Sequence, residues 1–244
     1  MRTKQFITGT ILSIAVVVLN CSYAAAPENF REAKIQMVKI FRHLKEPATL
    51  YCGCQIEFPF RGGYKPNLRS CGYVIQSDEK RGERIEAEHI MPAWEFGHNL
   101  SCWADADKGE GRHNCEETSE LFNKMESDLH NLYPAIGEVN KERSNYGFTE
   151  YLADKESIEP FGKCQMYISP SVRLALPPER SRGIIARAYL YMSYTYKIPL
   201  DANHLELYYK WDKEFPPTQN ECIRDHLIEK IQGNSNPFIG NRCR

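Results

Sequence analysis

The cysteines place the strongest constraint on how this chain can fold. Nine are present, and Cys21 lies in an N-terminal stretch with the features of a secretory signal: two basic residues, an apolar run over 6–19, and small residues within 22–26. The other eight form an even set, which in an exported chain indicates four disulfides formed in an oxidising compartment. They are Cys52, Cys54, Cys71, Cys102, Cys115, Cys164, Cys222 and Cys243. We therefore expect a disulfide-stabilised protein that is periplasmic or secreted.

The apolar run at the N-terminus is too short to be a membrane anchor. A helix that spans a bilayer needs roughly 20 apolar residues, so we interpret residues 1–24 as a cleaved signal peptide and 25–244 as the mature chain. Cleavage after Ala24 is favoured because cleavage after Ala26 would leave Pro27 as the first residue. A lipid-modified Cys21 is the less favoured alternative, since Asn20 before it is too large for that signal.

The mature chain is slightly acidic. Removing the signal takes Arg2 and Lys4 from the 31 basic residues and none of the 32 acidic ones, which leaves a formal charge of −3. A stoichiometric DNA-binding protein normally has a basic excess, and this chain lacks one. No repeat, low-complexity tract or linker divides the sequence, so a single domain is predicted, and we expect a monomer.

The spacing of the cysteines favours disulfides over zinc. Cys52 and Cys54 are separated by one residue, whereas a zinc knuckle has two residues between its ligands, and no second close pair exists. Sequence alone does not determine how eight cysteines pair. We predict two of the bonds, Cys102 with Cys115 and Cys222 with Cys243.

Hydrophobic periodicity predicts an α+β domain. Helices are predicted where apolar residues recur every three or four positions, and strands where β-forming residues cluster. The predicted helices are 28–44, 117–131, 181–196, 204–215 and 221–232, and the predicted strands or extended segments are 49–58 and 71–76. The stretch 99–115 is rich in Asp, Gly and Lys and is predicted to be an exposed loop closed at its base.

A carboxylate and an imidazole stand side by side in residues 84–94, Arg-Ile-Glu-Ala-Glu-His-Ile-Met-Pro-Ala-Trp. Polar and apolar residues alternate before Pro92, which predicts a strand that ends there. Glu88 and His89 would face opposite sides of a regular strand, so they could serve one site only if the backbone turns before Pro92. An isolated pair of this kind is most often a solvated glutamate and a half-buried histidine, so this motif does not decide the function by itself.

A second unusual stretch, residues 128–140, ends in Asn140, whose amide oxygen could act together with the Glu88 carboxylate of the first stretch. Mg²⁺ prefers oxygen ligands and is often held by only one or two protein groups. Glu88 and Asn140 could form such a site, while His89, neutral near physiological pH, could take a proton from a water. Arg112 could add positive charge at a phosphate. This combination suits metal-assisted hydrolysis of a phosphodiester bond.

Four separated blocks of the sequence resemble the bacterial endonuclease I family of periplasmic or secreted nucleases. They are residues 84–94 together with Arg112, residues 124–140, residues 182–192 and residues 232–239, and they occur in the order of that family over nearly the whole mature chain. The resemblance implies a mixed α/β domain with a ββα-metal, or His-Me finger, site. It also implies cleavage of DNA, and often RNA, with little sequence preference and with 5′-phosphate products.

The resemblance assigns a role to each matching position. It implies His89 as general base, Glu88 and Asn140 as ligands of one Mg²⁺ ion, Arg112 as the residue that stabilises the phosphate, and Asn131 as the support of the histidine loop. Asn131 could equally be the C-terminal cap of a helix. The stretch between Cys102 and Cys115, which carries Arg112, is somewhat longer than in the family.

A local strip of basic residues could hold the substrate although the whole chain is acidic. The candidates are Lys141, Arg143, Arg180, Arg182, Arg187 and Lys197, of which Lys141, Arg143, Arg182 and Arg187 are the predicted nucleic-acid contacts. A structural ion pair is the alternative for Arg187. Contacts to the phosphate backbone carry no base information, so binding would tolerate any sequence and weaken with salt.

Two other functions remain open at this point. A secreted, disulfide-stabilised protein that binds nucleic acid without cutting it would keep the same fold. A zinc hydrolase or protease is less favoured, because the chain has no His-Glu-x-x-His motif and a Glu-Asn oxygen pair does not suit zinc.

Overall fold

A computed structural model describes residues 27–60, 63–107 and 109–243. The predicted signal peptide and its cleavage site lie outside these residues. The helices are α1 (Phe30–Arg42), α2 (Leu68–Cys71), α3 (Glu79–Gly82), α4 (Ala93–Gly97), α5 (Ser101–Ala104), α6 (Gly111–Thr118), α7 (Glu120–Glu126), α8 (Gly137–Arg143), α9 (Glu179–Tyr196), α10 (Ala202–Glu214), α11 (Gln219–Gln232) and α12 (Pro237–Gly240). The strands are β1 (Ile56–Glu57), β2 (Lys65–Pro66), β3 (Ile85–His89), β4 (Leu132–Ile136), β5 (Gly147–Phe148), β6 (Tyr167–Ser169) and β7 (Leu174–Leu176).

The centre of the described fold is the antiparallel pair of β3 and β4. Their register runs from Ile85 opposite Ile136 to His89 opposite Leu132. All five residues of β4 are buried, and the chain passes from β4 directly into α8, which packs against both strands. β1 and β2 form a second antiparallel pair, and β5, β7 and β6 form a small mixed sheet.

Helix α1 covers β4 with the face that its sequence predicts. Asn29 caps the helix by accepting a hydrogen bond from the Glu32 amide. Ala33, Met37 and Phe41 are buried on the inner face, and the Phe41 ring meets the Tyr133 ring of β4 edge-on at 4.8 Å between centroids. The amphipathic pattern over 28–44 therefore produces a helix slightly shorter than predicted.

Helices α9, α10 and α11 are also close to their predicted positions. α9 and α10 pack closely together, and α11 begins at Thr218 with a capping box in which Thr218 and Glu221 bond each other's backbone. The largest buried side chain, Trp211 of α10, donates its indole N–H to Glu150 at 2.7 Å. Their buried residues belong to the same hydrophobic core as those of α1, β3 and β4.

Four disulfides join the eight cysteines predicted to form them. Cys102 is bonded to Cys115 and Cys222 to Cys243, so both predicted pairings are confirmed. The two pairings that were not predicted are Cys52 with Cys164 and Cys54 with Cys71.

Three predicted elements differ from the structure. The predicted loop over 99–115 contains α5 and most of α6 in its described part. The predicted helix over 117–131 is interrupted at Ser119, which ends α6 and caps α7, and it stops at Glu126. The predicted strand or extended segment over 71–76 forms no strand: apart from an isolated bridge at Tyr73, the residues after α2 have no regular structure.

Candidate active site

A cleft of about 490 Å³ lies along the free edge of β3. Every residue of β3 lines it, and the opposite wall is formed by side chains of α1, α6 and α8: Phe30, Lys34, Arg112, Asn140 and Arg143. Within the described residues β3 pairs with β4 alone, so its other edge faces the cleft. Consecutive residues of an edge strand can both reach a space beside the strand. Glu88 and His89 therefore share the cleft without the backbone turn that the sequence analysis required.

Glu88 presents one carboxylate oxygen to protein groups and keeps the other free. Oε1 accepts hydrogen bonds from the Tyr51 hydroxyl at 2.6 Å and from Arg143 Nη1 at 2.9 Å. Oε2 has no hydrogen-bond partner among the described residues. The side chain is 2 % exposed, and this burial raises the pKa of Glu88 above its usual value, although Arg143 opposes the rise. A cation placed at Oε2 would favour the ionised form.

The ring of His89 is held so that only one of its nitrogens is available. Nε2 lies 2.8 Å from the carbonyl oxygen of Glu126. A carbonyl only accepts, so Nε2 carries the proton and Nδ1 is the basic nitrogen of the neutral ring. Burial lowers the pKa of His89 to about 3. The ring packs against Phe30 at 4.6 Å between centroids, and the neutral form of His89 is maintained at physiological pH.

Asn140 offers an oxygen to the same cleft. Its Nδ2 donates to Glu86 Oε2 at 3.0 Å, and its Oδ1 has no hydrogen-bond partner among the described residues. The available donors for a metal are thus one carboxylate oxygen of Glu88 and one amide oxygen of Asn140. Both are hard oxygen donors, which suit Mg²⁺. The described residues contain no cluster of three His, Cys, Asp or Glu side chains that could hold a metal.

Arg112 lies in the first turn of α6, not in a loop. Its Nε and Nη2 donate to Glu126 Oε1 at 2.8 and 2.6 Å, and Nη1 has no hydrogen-bond partner among the described residues. Burial raises the pKa of Glu126, and Arg112 opposes that rise. Gly111 lets this helix start against α5, because a Cβ there would lie 2.4 Å from the Trp103 ring. The half-exposed guanidinium can therefore point into the cleft while its position is fixed.

Asn131 holds the backbone just after His89. Its Oδ1 accepts from the Met91 amide at 2.8 Å, and its Nδ2 donates to the Met91 carbonyl at 2.9 Å. The Asn131 side chain is fully buried, and its own carbonyl accepts from the Ile90 amide. The helix-cap alternative for Asn131 is wrong, because α7 ends at Glu126.

Comparison with known proteins shows which family this chain belongs to. The family model described as Endonuclease I matches residues 30–243. An extracellular deoxyribonuclease of Aeromonas hydrophila is 44% identical over 236 residues, which is 96% of this chain and 97% of that protein. The chain belongs to the endonuclease I family. A periplasmic deoxyribonuclease of the same organism is 43% identical over 96% of this chain and 94% of its own length, and an endonuclease-1 of Buchnera aphidicola is 45% identical over 88% of this chain and 82% of its own length.

Two of the nucleic-acid contacts predicted for this family member are wrong. Arg143 is 1% exposed and binds Glu88 and the carbonyls of His89 and Ile90. Arg187 is equally buried, in ion pairs with Glu221 and Asp212. Arg143 lines the cleft with Nη1 and Nη2 bonded within the protein, and Arg187 lies outside the cleft, so neither guanidinium is free to bind a phosphate. For Arg187 the structural alternative is the correct one.

The other two predicted contacts lie outside the cleft. Lys141 is exposed and pairs with Asp78 at 2.8 Å. Arg182 is half-buried, with its guanidinium 5.6 Å above the Trp211 ring. The predicted basic strip is thus divided between the surface of α8, the interior and the contact of α9 with α10.

Several residues that line the cleft or adjoin it were missed in the sequence. Lys34 lines the cleft without an acidic partner among the described residues, and its Nζ lies 4.6 Å over the Phe30 ring. Glu86, Arg81 and Arg84 form a charged group at the other end. A signal existed for Glu86, since it is two residues before Glu88 and shares its strand face. Nothing in the sequence near Lys34 indicated a site, because it belongs to the outer face of an amphipathic helix.

No helix among the described residues is both long and apolar enough to cross a membrane.

Proposed function

We propose that the protein is an exported, Mg²⁺-dependent endonuclease that hydrolyses phosphodiester bonds of DNA without sequence preference and leaves 5′-phosphates. RNA is the candidate second substrate. The observation that carries the proposal is the meeting, in one cleft, of a histidine with a free basic nitrogen, two free oxygen donors and an arginine. The relatives named as deoxyribonucleases and endonuclease-1 support it.

His89 is the general base of the proposed reaction. Its Nδ1 takes the proton from the attacking water, and the bond from Nε2–H to the Glu126 carbonyl holds the ring while the charge forms. A pKa well below neutrality keeps Nδ1 unprotonated before attack. Asn131 supports this step by fixing the segment that follows His89.

Glu88 and Asn140 would hold one Mg²⁺ through Oε2 and Oδ1. A bound Mg²⁺ supplies charge neutralisation at the scissile phosphate and at the departing 3′ oxygen. Arg143 and Tyr51 fix the Glu88 carboxylate so that its free oxygen faces the cleft. β3, β4 and α8, which carry these groups, correspond in the proposal to the ββα-metal finger.

Arg112 binds the phosphate in the proposed complex. Its free Nη1 and the remaining Nη2–H provide donors, and a guanidinium can bind two phosphate oxygens at once. The ion pair with the buried Glu126 limits its movement. Lys34 and Lys141 supply further charge near the cleft, and contacts of this type to phosphates explain cleavage without sequence preference. Moderate salt is expected to reduce activity for the same reason.

Export is part of the proposal. The predicted signal over residues 1–24 and four disulfides favour an oxidising compartment. Relatives named extracellular and periplasmic support the same location. We expect the mature chain to act as a monomer without a membrane anchor.

The metal requirement tests the proposal. Supercoiled plasmid and single-stranded RNA are incubated with the mature protein at increasing Mg²⁺, with a chelator, and with Zn²⁺ in place of Mg²⁺. Cleavage should need Mg²⁺ and stop with the chelator. Asn140→Ala and Glu88→Gln should raise the Mg²⁺ concentration needed for half-maximal cleavage. The rise should exceed the roughly tenfold loss of affinity that removal of an outer-shell group causes. The control Glu57→Gln changes an exposed carboxylate outside the cleft and should leave this concentration unchanged.

Thermal melts of each variant separate loss of a metal donor from loss of the fold. Cleavage that continues in the chelator, or that is unchanged in Asn140→Ala, would contradict the proposed metal site. Retention of DNA on the protein without any cleavage would favour the alternative, a secreted nucleic-acid-binding protein without catalysis.

A further inference from the structure

Glu86 connects the proposed metal site to a group of arginines. Its side chain lies in the cleft and is 18% exposed. Oε1 accepts from Arg84 Nε at 2.8 Å, and Oε2 accepts from Arg81 and from Asn140 Nδ2, the latter at 3.0 Å. Both carboxylate oxygens are therefore engaged. Glu88 on the same strand differs, since its two protein bonds converge on Oε1.

The Glu86 carboxylate determines which way the Asn140 amide faces. A carboxylate only accepts hydrogen bonds, so the NH₂ group of Asn140 must be the one that faces it. The carbonyl oxygen is then turned away from Glu86. Asn140 lines the cleft, and its Oδ1 is neither bonded within the described residues nor among their buried unpaired atoms. The oxygen is therefore accessible for a ligand.

Glu86 is itself held in place by the loop before β3 and by α8. The buried Glu138 of α8 accepts hydrogen bonds from the Ser77 amide at 2.6 Å and the Asp78 amide at 2.8 Å. Asp78 in turn caps α3, the short helix that carries Arg81. Arg81 thus reaches Glu86 from a segment that α8 anchors.

The close approach of Gly137 is a second, independent observation that the position of the Glu86 side chain relative to α8 is tightly constrained. A Cβ at Gly137 would lie 2.9 Å from the Glu86 carboxyl carbon and 2.8 Å from the Arg81 carbonyl oxygen. The start of α8 can approach Glu86 this closely only because residue 137 has no side chain. The distance between Glu86 and Asn140 follows from that approach.

We propose that Glu86 is a positioning residue, which holds the Asn140 amide with its oxygen toward the cleft and is not itself a metal ligand. The inference rests on the proposed metal site. Two arginines neutralise Glu86 and occupy its oxygens, whereas Glu88 keeps one oxygen free. Outer-shell groups that orient a ligand are worth about 10- to 100-fold in metal affinity, so loss of Glu86 should weaken metal binding by about tenfold.

A double-mutant cycle in metal affinity tests this role separately from activity. Mn²⁺, which is suited by the same carboxylate and carbonyl oxygen ligands as Mg²⁺, serves as the probe. Its binding is measured by electron paramagnetic resonance for wild type, Glu86→Ala, Asn140→Asp and the double variant. Aspartate offers two equivalent oxygens, so it has no amide to orient. Glu86→Ala should weaken Mn²⁺ binding about tenfold in the wild-type background and should not weaken it in the Asn140→Asp background.

The control and the contrary results are distinct. Glu142→Ala removes a carboxylate from α8 outside the cleft, where it bonds Ser77, and should bind Mn²⁺ like wild type. If Asn140→Asp does not fold, Asn140→Ala is the second background. Equal weakening by Glu86→Ala in both backgrounds, or none in either, overturns the positioning role. Failure of the wild type to bind Mn²⁺ refutes the proposed metal site instead.

Discussion

The buried pair of Arg143 and Glu88 gives a prediction whose magnitude follows from the structure. Arg143→Met removes a guanidinium whose side chain is 1% exposed and leaves the Glu88 carboxylate without its cation. The carbonyls of His89 and Ile90 lose the donors that lie at 3.0 and 2.6 Å. Removing one partner of a buried ion pair costs about 3–5 kcal/mol. We therefore expect the free energy of unfolding to fall by about 4 kcal/mol.

Urea denaturation without reductant measures this loss, and Lys141→Met is the matched control. Lys141 is on the same helix, but its side chain is 53% exposed in a surface pair with Asp78, so its removal should cost less than about 1 kcal/mol. The melting temperature of Arg143→Met should fall by roughly 10 °C, since 1 kcal/mol corresponds to about 2–4 °C in a chain of this size. Glu88→Gln combined with Arg143→Met should recover part of the loss, because neither side chain then leaves an unpaired buried charge.

The reasoning is refuted if Arg143→Met and Lys141→Met lose the same small amount of stability. In that case Arg143 would be accessible to solvent, and it could contact a phosphate of the nucleic acid as the sequence analysis predicted. The signature of this contact would be a weaker salt dependence of DNA binding in Arg143→Met with unchanged stability.

Two further predictions concern stability. The pKa of His89 is about 3 in the folded chain and about 6.5 in the unfolded chain; below pH 6.5 the unfolded state therefore binds the proton first, and stability decreases as pH falls. Between pH 7 and pH 5 the free energy of unfolding of the wild type should fall by about 2 kcal/mol because of His89. In His89→Gln this contribution is absent, so its free energy of unfolding should fall by about 2 kcal/mol less than that of the wild type over the same range. Urea titrations at the two pH values measure the difference. Replacing Cys52 and Cys164 by serine should destabilise the protein more than replacing Cys102 and Cys115 by serine. The two disulfides span 112 and 13 residues, and loop-closure entropy gives losses of about 5 and about 3 kcal/mol. Equal losses measured by calorimetry would contradict this explanation.

The sequence predicted the long helices because their signals are local. α1, α10 and α11 begin at side-chain caps, Asn29, Asp201 and Thr218, that satisfy the first backbone amides. A repeating apolar face then carries each helix to within a few residues of its predicted end. Local capping and periodicity are visible in the chain itself, which is why these elements could be predicted.

The segment from Cys102 to the start of α7 was predicted poorly because tertiary contacts determine the structure of its described part. α5 and α6 are joined by the Cys102–Cys115 disulfide, and Gly111 packs against the Trp103 ring. Composition alone made this segment look like a loop. The helix predicted beyond Glu126 does not form because Asp128 accepts hydrogen bonds from Tyr191 and Tyr196 of α9, contacts that lie far away in sequence.

The resemblance to the family predicted which residues would lie in one site, but not the residues with which they form hydrogen bonds and ion pairs. Glu88, His89, Arg112 and Asn140 all line one cleft, and their proposed roles remain to be tested. The burial of Arg143 could not be read from its charge. A signal was present nonetheless, since Arg143 is three residues after Asn140 and lies on the same helical face, which is directed toward β3.

Cleavage of supercoiled plasmid by wild type and His89→Ala under single-turnover conditions tests the central claim most directly. His113→Ala is the control, because His113 is an exposed histidine on α6 outside the cleft. With saturating Mg²⁺, loss of the general base should slow cleavage by roughly 10²-fold or more, while Mn²⁺ affinity, DNA binding and the control variant stay as in wild type. Cleavage by His89→Ala at the wild-type rate, in protein that is folded and binds metal, would show that the reaction does not use the nitrogen that β3 places in the cleft.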